Sequence, residues 1–394
     1  MKEYRRVFLI VLDSLGIGNA HDASQFDDEG TNTLGHIAST TGGIRAINME
    51  GLGLGSLGKF EGIYDLPSHL GVIARLNEIS NGKDTMTGHW EMMGLQVKEP
   101  FQTFTENGFP EELLNQLSTL SGRMIIGNCA ASGTEILDEL GEEQIQSGAL
   151  IVYTSADSVL QIAAHEKYIG LENLYHYCEI ARELTMKEEW KVGRVIARPF
   201  IGEKKGEFQR TSNRHDYALS PFGKTVLDTL KESDLEVISV GKINDIFNKQ
   251  GITRAIASKS NEDGMNKTIA LCDEKFKGLV FTNLVDFDAL YGHRRNPEGY
   301  KKAIEDFDNQ LGEMMYHLKE DDLLMITADH GNDPTYKGTD HTREQVPLII
   351  YSKSLTKSCD LGEITSFACI GATIADNFNV KLPDIGDSLL KYLQ

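Results

Sequence analysis

Apolar residues gather along this chain in short unbroken runs that end at a polar or charged residue. The sharpest are Val7-Phe8-Leu9-Ile10-Val11-Leu12, Leu279-Val280-Phe281-Thr282-Asn283-Leu284-Val285 and Leu323-Leu324-Met325-Ile326-Thr327. Runs of this length, without polar alternation and rich in β-branched and aromatic residues, predict strands buried on both faces. From residue 222 onward such runs alternate with helical periodicity. The pattern predicts helix 222–232, strand 235–240, helix 263–276, strand 279–285, helix 298–319, strands 323–327 and 346–351, and helix 365–377. An α/β fold follows, with a mainly parallel sheet flanked by helices.

The middle of the chain reads differently. Strands are expected at 124–126, 150–153 and 192–196, with a helix near 171–187, and Pro100 and Ser220-Pro221 bracket the whole. Proline stiffens a chain and blocks helix continuation, so both sites suit linkers. With 394 residues, more than one core is expected. The predicted organisation is a core from 1–100 and 221–394, with a smaller α/β cap inserted at 101–220.

Two local patterns are discarded. Lys2, Arg5 and Arg6 precede an apolar run, but that run is six residues long, short of the ~7–15 of a signal peptide. Gly53-Leu54-Gly55-Ser56-Leu57-Gly58 matches the dinucleotide-binding spacing. It lacks a preceding strand, and Gly62 and Pro67 follow closely, so a glycine-rich connection is expected.

Composition narrows the function classes. Hydrophobic residues make up 40% and charged residues 25%, as in soluble globular chains. No apolar run approaches the ~20 residues of a membrane span. Five scattered cysteines contain no C-x-x-C pair, which disfavours a disulfide framework or thiolate metal site and fits a reducing cytoplasm. A net charge of −20 disfavours nucleic acid and anionic membranes. Between Trp190 and His215, however, seven basic residues face two acidic ones. A local cationic patch in so acidic a chain suits a small phosphorylated substrate.

The chemistry lies at the ends of the apolar runs. Asp13 follows the first, Asp286 and Asp288 with His293 follow the second, and Asp329-His330 follows the third, with Asp340-His341 shortly after. Open α/β sheets bind ligands at the carboxyl ends of their strands. Carboxylates and imidazoles together suit manganese, zinc or iron. Three Asp and three His in such places are more than helix capping needs, and a pair of metals is the usual clamp for phosphoryl transfer. A nucleophile is available in Lys83-Asp84-Thr85-Met86-Thr87-Gly88-His89-Trp90-Glu91, read as a polar turn. Spacing alone leaves Thr85 and Thr87 open, and likewise Asp286 and Asp288, since residues two apart on a strand share a face.

Taken together, Val-Leu-Asp13-Ser-Leu-Gly-Ile-Gly, Lys-Asp-Thr85-Met-Thr-Gly-His-Trp-Glu, Asp288-x4-His293, Ala-Asp329-His330-Gly-Asn-Asp and Thr-Asp-His341-Thr resemble the bacterial phosphopentomutases of the alkaline phosphatase superfamily. The resemblance runs through the whole chain in order. It implies one divalent metal, usually manganese, on Asp13, Asp329 and His330 with Thr85, and a second on Asp288, His293 and His341. It favours Thr85, three residues before Gly88-His89, and Asp288 through the Asp-x4-His spacing. Asp157, Arg194, Arg210 and Lys242 resemble substrate-binding positions.

The same resemblance implies a phosphothreonine enzyme acting on (deoxy)ribose 1- and 5-phosphates through a 1,5-bisphosphate. A sugar bisphosphate, glucose 1,6-bisphosphate or ribose 1,5-bisphosphate, would prime it. A phosphorylated pentose is then the only partner expected, with no obligate protein partner. Rival readings are a phosphoglycerate mutase or phosphatase of the same superfamily, and a catalytically silent metal-binding protein.

Overall fold

The computed structural model describes residues 3–155 and 158–393. Two compact units emerge, one from Met1–Glu99 with Ser220–Gln394 and one from Pro100–Leu219.

The larger unit is built on an eight-stranded sheet. Its order is Arg254–Ile256, Glu236–Val240, Gly278–Leu284, Arg6–Leu12, Asp322–Thr327, Val346–Tyr351, Val72–Leu76 and Cys359–Ile364. Only Val346–Tyr351 runs against its neighbours; every other pairing is parallel. Every residue of Gly278–Leu284, Arg6–Leu12 and Asp322–Thr327 is buried, which requires both faces of the central sheet to be covered. In register, Leu12 lies opposite Leu284 and Val11 opposite Thr327, so these three strands end together. Their other ends are tied by a buried ion pair. The Arg6 guanidinium donates through Nε and Nη2 to both Asp322 carboxylate oxygens at 2.7 and 2.6 Å.

Helix starts follow local capping rather than the broad periodicity. The helix expected over 222–232 begins at Val226, because Thr225 and Asp228 form a reciprocal capping box that fixes its first turn. The one expected over 263–276 is Asn261–Leu271, with the Ser260 hydroxyl accepting from the Asp263 N–H. The discarded glycine pattern forms a single 3-10 turn, Leu54–Leu57, entered from the helix Ile47–Leu52 rather than from a strand.

The smaller unit has its own sheet. Ile125–Ala130, Leu150–Thr154, Val159–His165, Arg194–Ile201 and Gln209–Arg210 follow in order, and His215–Ala218 also pairs with Arg194–Ile201. Neighbouring residues Ile151 and Val152 belong to separate apolar clusters, one with Phe200 and Phe208, the other with Leu117, Ile162 and Trp190. Successive side chains of a strand point to opposite faces, so this sheet too is covered on both sides. Among the described residues, no helix is long and apolar enough to cross a membrane.

Candidate active site

The three adjacent strand ends supply three buried carboxylates. Asp13 follows Leu12 directly, Asp329 lies two residues beyond Thr327, and Asp288 stands in the turn after Leu284. That turn is a π-helix, Phe287–Gly292, in which the His293 N–H donates to the Asp288 carbonyl at 3.0 Å. Five residues along an α-helix, two side chains diverge by about 140°. The wider i→i+5 turn brings them back towards one face. This explains the spacing: Asp288 Oδ2 lies 3.1 Å from His293 Nε2.

Oxygens converge on the His330 ring. Thr85 Oγ1 lies 3.2 Å from His330 Nε2, Asp329 Oδ2 3.3 Å and Asp13 Oδ1 3.5 Å. Each carboxylate has its other oxygen tied. Asn283 Nδ2 donates to Asp13 Oδ2 at 2.8 Å, and the Ser14 N–H donates to Asp329 Oδ1 at 3.0 Å. Asp13 Oδ1 and Asp329 Oδ2 are buried and have no hydrogen-bond partner among the described residues. Burial pushes the Asp13 carboxyl well above the usual range, and the nearby Asp329 and Asp288 charges push it further. Orphaned, like-charged, buried oxygens fit a divalent cation, which would offset their repulsion.

A second cluster adjoins the first. Asp288, His293 and His341 present ligand atoms that all lie within 4.8 Å of one another. His341 Nε2 is 3.2 Å from His293 Nε2 and 3.5 Å from Asp288 Oδ1. The His330 and His341 rings stack at 4.0 Å between centroids. Asp13, Asp288 and His330 also satisfy the same 4.8 Å limit, so Asp288 lies within reach of both clusters. The imidazoles are oriented for ligation. His293 Nδ1 donates to the Thr339 carbonyl at 2.7 Å and His330 Nδ1 to the Gly331 carbonyl at 3.0 Å, which turns each Nε2 towards the cluster. Burial lowers the His330 pKa, which favours the neutral ring.

Hydrogen bonds separate the paired candidates. The Thr87 hydroxyl donates to the Asp84 carboxylate, whereas Thr85 faces His330. Asp286 Oδ2 accepts from the Asn261 N–H at 2.7 Å, whereas Asp288 joins the histidines. The segment read as a turn is in fact the helix Thr85–Met92. Asp84 caps it by accepting from the Met86 and Thr87 N–H groups, and Thr85 is its first residue. A helix N-terminus favours negative charge on a group placed there.

Sequence reasoning gave no role to several buried neighbours. Asn332 Nδ2 donates to Asp288 Oδ1 at 2.7 Å. The Ser14 hydroxyl meets Tyr300 at 3.0 Å. Arg343 is 2% exposed and pairs with Glu78 at 2.6 Å and Asp22 at 2.8 Å, tying the segment that follows His341 to the one that precedes Thr85. His89 Nδ1 lies 2.8 Å from the Thr85 carbonyl oxygen and 3.2 Å from Asp329 Oδ2. Asn283 carried a readable signal, since a polar side chain inside a buried apolar run needs a partner.

Asp157 lies outside the described residues. In the larger unit, Lys242 precedes the short helix Ile243–Ile246. In the smaller unit, Arg194 is half-buried with Nη1 3.9 Å from Asp216 Oδ2, and Arg210 is exposed on a strand paired with Phe200. The Arg198, Arg210 and Arg214 charges oppose the rise in Tyr153 pKa that burial causes, so that sheet carries a cationic face.

Comparison with known proteins agrees with this chemistry. The family model described as the metalloenzyme superfamily matches residues 5–382. A phosphopentomutase of Clostridium tetani (strain Massachusetts / E88) is 58% identical over 397 residues, covering 100% of both chains. One of Agathobacter rectalis is 58% identical over 395 residues, again with 100% of both covered. Among solved structures, a phosphoglycerate mutase of Leishmania mexicana shares the fold, with a TM-score of 0.50 and 10% identity over 98% of each chain. With near-identical length and well over half its residues shared throughout, the chain belongs to the phosphopentomutases, isomerases of the metalloenzyme superfamily.

Proposed function

We propose that this chain interconverts the 1- and 5-phosphates of ribose or deoxyribose, using Thr85 as a transient phosphate carrier. The observation that carries this reading is the place of the Thr85 hydroxyl: first residue of a helix and 3.2 Å from His330 Nε2, the same nitrogen that lies 3.3 Å from Asp329 Oδ2 and 3.5 Å from Asp13 Oδ1. Phosphate on Thr85 passes to the free hydroxyl of the pentose phosphate. The Thr85 Oγ–P bond breaks as a sugar O–P bond forms, and the sugar hydroxyl proton passes to the released Thr85 oxygen. The resulting 1,5-bisphosphate turns round, and Thr85 Oγ takes the other phosphate, releasing the isomer and restoring the phosphoenzyme. A sugar bisphosphate primes the unphosphorylated form.

Asp13, Asp329 and His330 with Thr85 would hold one divalent cation, and Asp288, His293 and His341 the other. Manganese in these sites would neutralise charge on the transferring oxygens and ease deprotonation of the threonine. Arg194, Arg210, Lys242 and Asp157 are the proposed substrate contacts. Arginine suits this work because its planar fork grips phosphate oxygens in pairs. A cytoplasmic location completes the reading.

The test pairs a coupled assay with one substitution. Ribose 1-phosphate, manganese and a trace of glucose 1,6-bisphosphate should give ribose 5-phosphate with no free phosphate. Release of inorganic phosphate at a matching rate would instead mark a hydrolase. Thr85→Ala should abolish isomerisation while the protein still binds manganese; a variant that keeps turning over would reject the nucleophile assignment.

A further inference from the structure

We propose that His89 is a positioning residue that locks the Thr85 peptide to the Asp329 strand end, so that nucleophile and metal ligand hold one geometry. The inference rests on the reading of Thr85 as phosphate carrier and of Asp329 as ligand. His89 is fully buried on the helix Thr85–Met92, one turn beyond Thr85. Its Nδ1 lies 2.8 Å from the Thr85 carbonyl oxygen, which can only accept, so Nδ1 carries the proton. The same nitrogen is 3.2 Å from Asp329 Oδ2, the oxygen that has no hydrogen-bond partner among the described residues. A proton held there places positive edge charge against the carboxylate without occupying its lone pair.

The other ring nitrogen completes a chain. Asn283 Nδ2 lies 3.4 Å from His89 Nε2 and donates to Asp13 Oδ2 at 2.8 Å. One amide group thus offers its two hydrogens to His89 and to Asp13. The ring also stacks on Phe281, 5.7 Å between centroids and 26° between planes, which fixes its plane. Asp13, Asn283, His89 and Asp329 therefore form a continuous buried path that does not pass through Thr85 Oγ1. Phosphate must leave and return to that oxygen in each turnover. Loss of an orienting group behind a ligand typically costs roughly 10–100-fold in metal affinity or activity. A histidine that merely fills the core would be replaceable by a ring of equal size.

The experiment needs one measurement on the unaltered manganese-free protein and three substitutions. Nitrogen-15 NMR of the His89 ring should show Nδ1 protonated and Nε2 bare; a ring protonated at Nε2 overturns the proposal. His89→Phe keeps the stack and the volume. His89→Gln moves its amide towards the Nε2 position, and His89→Asn keeps an N–H near the Nδ1 position. Manganese binding per chain, followed by electron paramagnetic resonance, should weaken about tenfold or more at one of two sites in the Phe and Gln variants. Their kcat should fall by roughly 10–100-fold with KM little changed, and Asn should recover most of both. If Phe binds both ions and turns over within about twofold of the unaltered protein, the proposal fails. Equal damage in Asn and Gln overturns it as well. Thr85→Ala run alongside separates the two levels: if that variant is inactive while Phe is normal, only the role of His89 falls.

Discussion

Gly88 shows how far the site depends on single atoms. A Cβ there would sit 2.3 Å from the Asp329 carbonyl oxygen and 3.0 Å from the Asp329 Cβ. Helix propensity alone favours alanine over glycine in such a place by roughly 0.5–1 kcal/mol. Overpacking against backbone costs about 1–3 kcal/mol, and here the backbone belongs to a residue whose carboxylate faces the cluster. The clash therefore wins. Gly88→Ala should lower stability in urea denaturation. It should also lower kcat by roughly 10²-fold, since displacements of about 1 Å near the reacting atoms cost that much. An unchanged kcat would show that the helix can slide without disturbing Asp329. The same scale explains what the sequence left open. Thr85 and Thr87, or Asp286 and Asp288, are two apart and chemically alike; only their partners Asp84 and Asn261 tell them apart. Those partners depend on the turn of a helix and on a contact 25 residues away, neither of which is written in spacing.

At the scale of elements, the central strands are legible because burial on both faces makes Arg6–Leu12, Gly278–Leu284 and Asp322–Thr327 nearly continuous apolar runs, their few polar residues such as Arg6, Asn283 and Asp322 being partnered. Cys359–Ile364 is not, since it is a half-exposed edge strand carrying Asp360 and Glu363. The helix Thr85–Met92 was read as a turn for the opposite reason. Every residue from Met86 to Met92 is buried, Thr87, His89 and Glu91 included, so the helix has no solvent-exposed face and no amphipathic period to detect. What holds it is polar instead. Glu91 is fully buried, and its carboxylate accepts from the Ser80 N–H at 2.6 Å, the Ile79 N–H at 3.1 Å, and the Phe367 N–H and Ser366 hydroxyl at 3.0 Å. Negative charge near a helix C-terminus opposes the dipole, so its value lies in those loop donors. Glu91→Ala would strand the buried Ser80 and Phe367 N–H groups and the part-buried one of Ile79. We expect a loss of about 3 kcal/mol or more by chemical denaturation, and a smaller one for Glu91→Gln, whose remaining oxygen still accepts. A loss under about 1 kcal/mol would show that water replaces the carboxylate.

For the whole molecule, the proposed cations are a matter of stability as well as catalysis. All six proposed ligands lie in the larger unit, drawn from both of its chain segments. Asp13 comes from the first segment, and Asp288, His293, Asp329, His330 and His341 from the second. An ion bound there stabilises the folded form by RT ln(1 + [L]/Kd), about 4 kcal/mol when free metal is 1,000 times Kd. It also cross-links segments separated in sequence by the smaller unit, and relieves the repulsion among Asp13, Asp288 and Asp329 seen in the raised Asp13 pKa. The smaller unit contributes none of these ligands and has its own clusters on both sheet faces. Calorimetry with and without a chelator should therefore resolve a metal-dependent transition for the larger unit, and a second that barely moves. Proteolysis stopped at intermediate temperature would assign each to its segment. Were chelation to shift neither transition, the six side chains would be holding no ion in solution, and the two-metal reading of the site would fall with it.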